Sequence, residues 1–140
     1  MKSTHRFKFN SSIEAVEEII KAENWLSFVP GYSRLESADP NWPNENSSII
    51  VLFGKSKNTV TVIKYTPRQQ FITHEEMFGG LCVDDVNLTF QETKGIIELK
   101  FIRDVKSKSI FVRFLLLLIY PTRWINMYFV KRRIKAMVET

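Results

Sequence analysis

Residues 109–140 read SIFVRFLLLLIYPTRWINMYFVKRRIKAMVET, and this stretch decides the fold. It is apolar on every side at its start and strongly basic at its end. Phe111, Leu115, Leu118, Ile125 and Phe129 recur at helical spacing, which predicts one long C-terminal helix with that stripe able to face a sheet. Pro121 lies inside it. The missing N–H and the ring clash should kink the helix near residues 117–120 or split it in two. Phe114 to Tyr120 are all apolar, more than one buried stripe requires. The run is too short to cross a bilayer, which takes ~20 apolar residues, and Arg113 and Arg123 bracket it.

What precedes the helix reads as strand, two short helices and a run of strands. Thr4 to Phe9 alternates, with His5, Phe7 and Phe9 on one side. Ser11 and Glu14 have capping-box spacing ahead of a first helix over Ser12 to Ala22. A second helical turn covers Glu23 to Phe28, ended by Pro30-Gly31. Strands are expected over Tyr32–Ala38, Ser48–Phe53, Asn58–Tyr65, Gln70–Phe78, Leu81–Gln91 and Ile96–Arg103, with a loop at Asp39–Asn46. The nearly continuous apolar run Ser48–Phe53 reads as a strand buried on both faces. Short turns such as Gly54–Lys57, Gly79-Gly80 and Thr93-Lys94-Gly95 make the series an antiparallel meander, since parallel crossovers need longer connections. The expectation is one α+β domain over 1–140, a curved antiparallel sheet of six to seven strands closed by the C-terminal helix.

Charge is unevenly placed within the net +5. Residues 1–105 carry 12 Lys/Arg against 14 Asp/Glu, a net of −2. Residues 106–140 carry 8 Lys/Arg against Glu139 alone, a net of +7. Basicity confined to one element argues against a broad nucleic-acid-binding surface. The single cysteine, Cys82, cannot form an internal disulfide, and Met1 to Asn10 has no apolar signal-peptide core, so a cytoplasmic location is expected.

The order of elements and several residues resemble the START-like superfamily, the polyketide cyclase/dehydrase and lipid-transport group, whose helix-grip fold the birch pollen allergens share. The matching pieces are Phe7–Phe9 before Ser12-Ile13-Glu14-Ala15-Val16, Asn24-Trp25-Leu26 leading to Pro30-Gly31, and the Tyr65-Thr66-Pro67 turn. The resemblance covers nearly the whole chain. It implies a hydrophobic ligand cavity between sheet and helix, and no shared catalytic residue.

Candidate site residues follow. His5 and His74 stand far apart, with no His/Cys/carboxylate spacing for a metal, and no cofactor motif is present. Cys82 reads as a small buried side chain. Glu75, Glu76, Asp84, Asp85 and Asn87 fall on adjacent strands. They read either as a solvated outer face or as a set in which one carboxylate, Glu75, reaches the cavity, loses solvation and serves as an acid or base. Phe71, Thr73, Glu75 and Met77 share a face. Ile63, Phe71, Val86, Leu99, Phe101, Leu115 and Leu118 are expected to line the cavity with Thr73 and Met77. Trp25 and Phe28 are read as rim or core. Arg123, Lys131, Arg132, Arg133 and Lys135, next to the apolar run, read as a solvated helix face or as a surface for an anionic membrane or a partner. Three functions stand open: carriage of a hydrophobic or amphipathic small molecule, lipid-like or polyketide-like; a cyclase or dehydratase using the same cavity; and an adaptor working through the C-terminal helix.

Overall fold

The structure, a computed structural model, describes residues 1–28, 33–119 and 123–139, with the backbone alone for 26–28, 119, 123 and 124. In chain order the elements are β1 (Lys2–Asn10), α1 (Ile13–Glu17), a 3₁₀ turn (Glu18–Ile20), α2 (Ala22–Phe28), β2 (Arg34–Ala38), β3 (Ser48–Phe53), β4 (Ser56–Thr66), β5 (Gln70–Met77), a second 3₁₀ turn (Phe78–Gly80), β6 (Cys82–Thr93), β7 (Ile96–Ser107), α3 (Ile110–Ile119) and α4 (Arg123–Val138). The seven strands form one antiparallel sheet in the order β1-β7-β6-β5-β4-β3-β2. This is a curved, open sheet with two short helices and C-terminal helices, the helix-grip architecture.

Period-two alternation sets the concave face. Phe71, Val86, Leu88, Phe90, Ile97, Leu99, Phe7 and Phe9 are buried there, in one cluster with Val16, Ile19 and Ile20 of the first helical segment. The β6–β7 ladder runs unbroken from Cys82↔Ser107 to Thr93↔Ile96. Its two-residue turn holds Lys94 at φ 52° and Gly95 at φ 79°, the doubly left-handed pair that matches strand twist.

Several sequence expectations need correction. The N-cap of α1 is Ser12, whose Oγ accepts from Ala15 N; Ser11 instead donates to the Val138 carbonyl at 2.7 Å, tying α4 to the β1–α1 turn. β3 is not buried on both faces. It lies next to the edge strand and buries only Ile49 and Val51, which share one face, while Ile50 and Leu52 on the other face are half-buried. β7 runs four residues past Arg103, since the polar Asp104–Ser107 still pairs with Cys82–Asp85. The C-terminal segment forms two helices; Pro121, like Pro30-Gly31, lies outside the described residues.

The largest correction concerns which side of those helices faces inward. Phe111, Leu115, Leu118, Ile125 and Phe129 are all exposed. The inward residues are Val112 and Leu116 of α3, then Met127, Val130, Ile134 and Val138 of α4. The last four follow the i, i+3, i+7, i+11 spacing of one helical face. α4 packs on α1, α2 and β1, whereas α3 packs on β7.

Candidate functional site

Between the concave face and the C-terminal helices lies a cavity of about 310 Å³. Its roof is apolar: Val112 and Leu116 from α3 and Met127 from α4, with Asn126 beside them. Its rim carries Met77, Phe53 and Phe78, the two rings meeting edge to face at 6.4 Å. Phe78, Gly79 and Gly80 all have positive φ, and this left-handed corner is where the two glycines are required. Its floor is polar, built from Ser3 and His5 of β1, Asn58 of β4, Cys82 of β6 and Arg103 of β7.

Alternation explains that floor. Asp84 shares parity with Val86, Leu88 and Phe90, and Arg103 shares parity with Ile97, Leu99 and Phe101, so both point to the concave side. Glu75 lies directly opposite Asp84 across the β5–β6 ladder. Glu75 is 5 % exposed and Asp84 4 %. Arg103 donates to Asp84 Oδ2 through Nε at 2.6 Å, with a second guanidinium nitrogen at 2.5 Å from the same oxygen. Asp84 Oδ1 is left with no protein donor, as are Asn58 Oδ1 and Thr73 Oγ1. Buried acceptors of this kind are costly unless something donates to them.

The electrostatics follow from burial. Desolvation, then the Asp84 charge, pushes the Glu75 carboxyl up to about 8, against the opposing pull of Arg103. Burial alone would lower the Arg103 guanidinium, but Asp84 outweighs it and holds Arg103 above its ordinary value. Burial, with Asp84 adding to it, also raises the Cys82 thiol, which favours the neutral, unreactive form. Of this group only Arg103 lines the cavity; Asp84 and Glu75 lie behind it, a fixed ion pair and a neighbouring carboxyl inclined to keep its proton, buried in the sheet.

Few of the residues expected at the site from sequence line this cavity. Met77 does. Phe71, Thr73, Val86 and Leu99 are buried on the same concave face, and Phe101 is half-buried there, but they fill the core beyond the cavity. Trp25 is core rather than rim: it packs edge-on against Phe71 at 5.7 Å, and Trp42 and Tyr65 approach the same ring at 5.8 Å. Ile63 is exposed because inward parity on β4 belongs to Val60 and Val62. A register shift between Val62 and Lys64 then brings Tyr65 opposite Phe71. Leu115 and Leu118 point to solvent with the rest of that stripe. The Phe28 and Arg123 side chains lie outside the described residues. Lys131, Arg132, Arg133 and Lys135 are exposed. Asp85 and Glu76 lie on the convex side around His74, whose Nδ1 is 2.6 Å from Asp85 Oδ1. Asn58 and Arg103 were missed, and Asp84 was read only as one of a set of strand carboxylates, although the alternation of β6 and β7 carried the signal for Asp84 and Arg103.

No family model matches the chain, and no curated protein does. Its likeness is to solved structures. A Chromobacterium violaceum protein superposes with a TM-score of 0.75 at 10% identity, covering 99% of this chain and 97% of the other. A Rhodobacter sphaeroides protein gives 0.70 at 16% identity, covering 97% and 91%. The di-domain ARO/CYC protein StfQ from the steffimycin biosynthetic pathway gives 0.63 at 12% identity, covering 99% of this chain and 50% of that one. At such identities the likeness establishes the fold, a helix-grip fold shared with cyclase/aromatase-type proteins.

Proposed function

We propose that the chain binds a small amphipathic molecule in the cavity between the sheet and the C-terminal helices, apolar body against the roof and polar end on the floor. The observation that carries this reading is the division of one half-open cavity into an apolar wall and a polar floor that carries Arg103 and the unsatisfied Asn58 Oδ1. Burying the ligand's apolar surface would supply ~25 cal/mol per Å². Orientation would come from Arg103 donating to a ligand oxygen while Asn58 Oδ1 accepts from a ligand hydroxyl or amide. The volume lies at the lower end of the ~300–1,000 Å³ of small-molecule pockets, so a compact polyketide-like or short lipid-like molecule fits better than a long-chain lipid. Titration with a solvatochromic apolar dye, alongside native mass spectrometry of the purified protein, tests it. Saturable binding with a stoichiometry near one is expected. Leu116→Trp, which fills the cavity from the roof, should weaken dye binding by about tenfold or more, the loss expected when roughly 1.4 kcal/mol of contact is removed. An interior that excludes every apolar probe sinks the proposal.

A second reading is favoured by the burial of Glu75 directly opposite Asp84, which pushes its carboxyl up to about 8. A carboxyl that holds its proton near neutrality, next to a fixed ion pair whose Arg103 lines the cavity, has the property required of a general acid. The reaction class would be a cyclisation or dehydration, in which Arg103 and Asn58 hold the substrate and Glu75, behind them, supplies a proton to a carbonyl or a departing hydroxyl once the floor opens to it. Turnover of a polyketide-like substrate that Glu75→Gln abolishes, with dye binding retained, would select this reading over simple carriage.

A further inference from the structure

Helix α3 is apolar on the wrong side for a helix that merely covers a core. Val112 and Leu116 face the cavity, while Ile110, Phe114, Leu117 and Leu118 form an i, i+4, i+7, i+8 stripe facing solvent. Ile110 is 84 % exposed and Leu118 61 %. On α4 the exposed Ile125, Tyr128 and Phe129 continue this character, and Arg132 falls on their face, at i+7, i+4 and i+3 from them. Lys135 follows Tyr128 at i+7. An exposed apolar surface of this kind marks an interaction site, and the charge beside it says which kind.

We propose that the outward faces of α3 and α4 lie in the headgroup region of an anionic lipid bilayer, apolar side chains inserted and the α4 cations on the lipid phosphates and carboxylates. Two observations favour a bilayer over a second copy. The exposed apolar side chains and the α4 cations lie side by side, so burial of apolar area and attraction to anionic lipid would act together. A self-complementary dimer would set the same surface against itself, bringing Arg132 and the neighbouring exposed Lys131, Arg133 and Lys135 towards their own copies. An anionic surface instead attracts that charge. Among the described residues no helix is long and apolar enough to cross a membrane, so the contact is peripheral. The inference does not depend on what the cavity binds.

Co-sedimentation of the full chain with phosphatidylcholine vesicles, with and without phosphatidylserine, tests it. Binding should appear with phosphatidylserine at low salt and fade as the Debye length shrinks to ~8 Å at physiological salt. Arg132→Glu should weaken it by roughly 30-fold, since each cation near such a surface counts for about a fivefold change. The pair Phe114→Ser and Leu118→Ser should weaken it by on the order of 100-fold. Both changes replace exposed side chains, and the urea midpoint should hold. Absence of binding at low salt, equal binding to neutral vesicles, or indifference to the Phe114/Leu118 pair would each overturn the proposal. So would a concentration-dependent dimer in sedimentation velocity that the Phe114/Leu118 pair abolishes, with no vesicle binding.

Discussion

Glu75→Gln isolates the buried carboxyl through the pH dependence of stability. In the native protein Glu75 ionises near 8, against 4.5 for the ordinary carboxyl. The folded state therefore holds a proton through that window which the unfolded state releases, and stability falls as pH rises from 4.5 towards 8. Below 4.5 both states are protonated and the contribution is fully present. The shift corresponds to roughly 5 kcal/mol at 1.36 kcal/mol per unit, and by pH 7 roughly 3 kcal/mol of it would be lost. That figure is a ceiling, because water drawn to an ionised Glu75 and closer approach of Arg103 both soften the penalty. Glutamine has nearly the shape of the protonated acid and does not titrate, so the variant should match the wild type near pH 4.5 and exceed it progressively above. Urea unfolding of both proteins across the range reads the difference directly, and other titrating groups cancel in the subtraction. Parallel stability curves would refute the desolvated Glu75, and with it the acid–base reading of the floor.

Two further substitutions test the packing that positions the site. Ile134, 1 % exposed, anchors α4 in the core, so Ile134→Ala should cost about 2–5 kcal/mol, whereas Phe129→Ala, at 47 % exposure, should stay within about 0.5 kcal/mol by urea unfolding; the reverse order would restore the stripe expected from sequence. Tyr65 donates to Glu17 Oε1 at 2.8 Å, and its phenol is pushed up to about 12 by burial and then by Glu17. Tyr65→Phe removes a hydrogen bond to a charged group and should lower stability by about 1.5–3 kcal/mol, with no change at all meaning that the bond is fully replaced by water.

The sheet was legible in the sequence because period-two alternation and turn chemistry are local signals. Val86 and Leu99 faced inward as read, and Lys94-Gly95 turned where expected. The Tyr65-Thr66-Pro67 turn, read as a point of resemblance, gains a physical account: Tyr65 Oη and Arg68 N both donate to the Glu17 carboxylate, pinning the β4–β5 corner to α1. The polar floor was half legible. Asp84 and Arg103 continue the inward parity of their strands, but a charged residue at an inward position reads as the end of the buried face until its partner on the next strand is known. Only the register, with Val86 opposite Arg103 and Asp84 opposite Val105, shows that each charge meets the other.

The phase of the C-terminal helices was lost for a different reason in each. In α4 the signal existed: across the basic run only Val130, Ile134, Met137 and Val138 stay large and apolar, and extending that face backwards reaches Met127, not Ile125 or Phe129. In α3 the signal misled: its one polar residue, Arg113, makes the opposite stripe of Phe111, Leu115 and Leu118 read as inward, yet all three are exposed. What sets its rotation is polar. Ser109 N donates to Ser107 Oγ at 3.1 Å, Val112 N donates to Ser109 Oγ at 3.4 Å, and Lys108 N donates to the Leu81 carbonyl at 3.0 Å. These bonds clamp the first turn of α3 to the end of the β6–β7 ladder, and the clamp, rather than burial, turns Val112 and Leu116 to the cavity. The same clamp leaves Phe114, Leu117 and Leu118 outside, so three small polar groups at the end of a strand determine both the cavity's roof and the apolar surface above it.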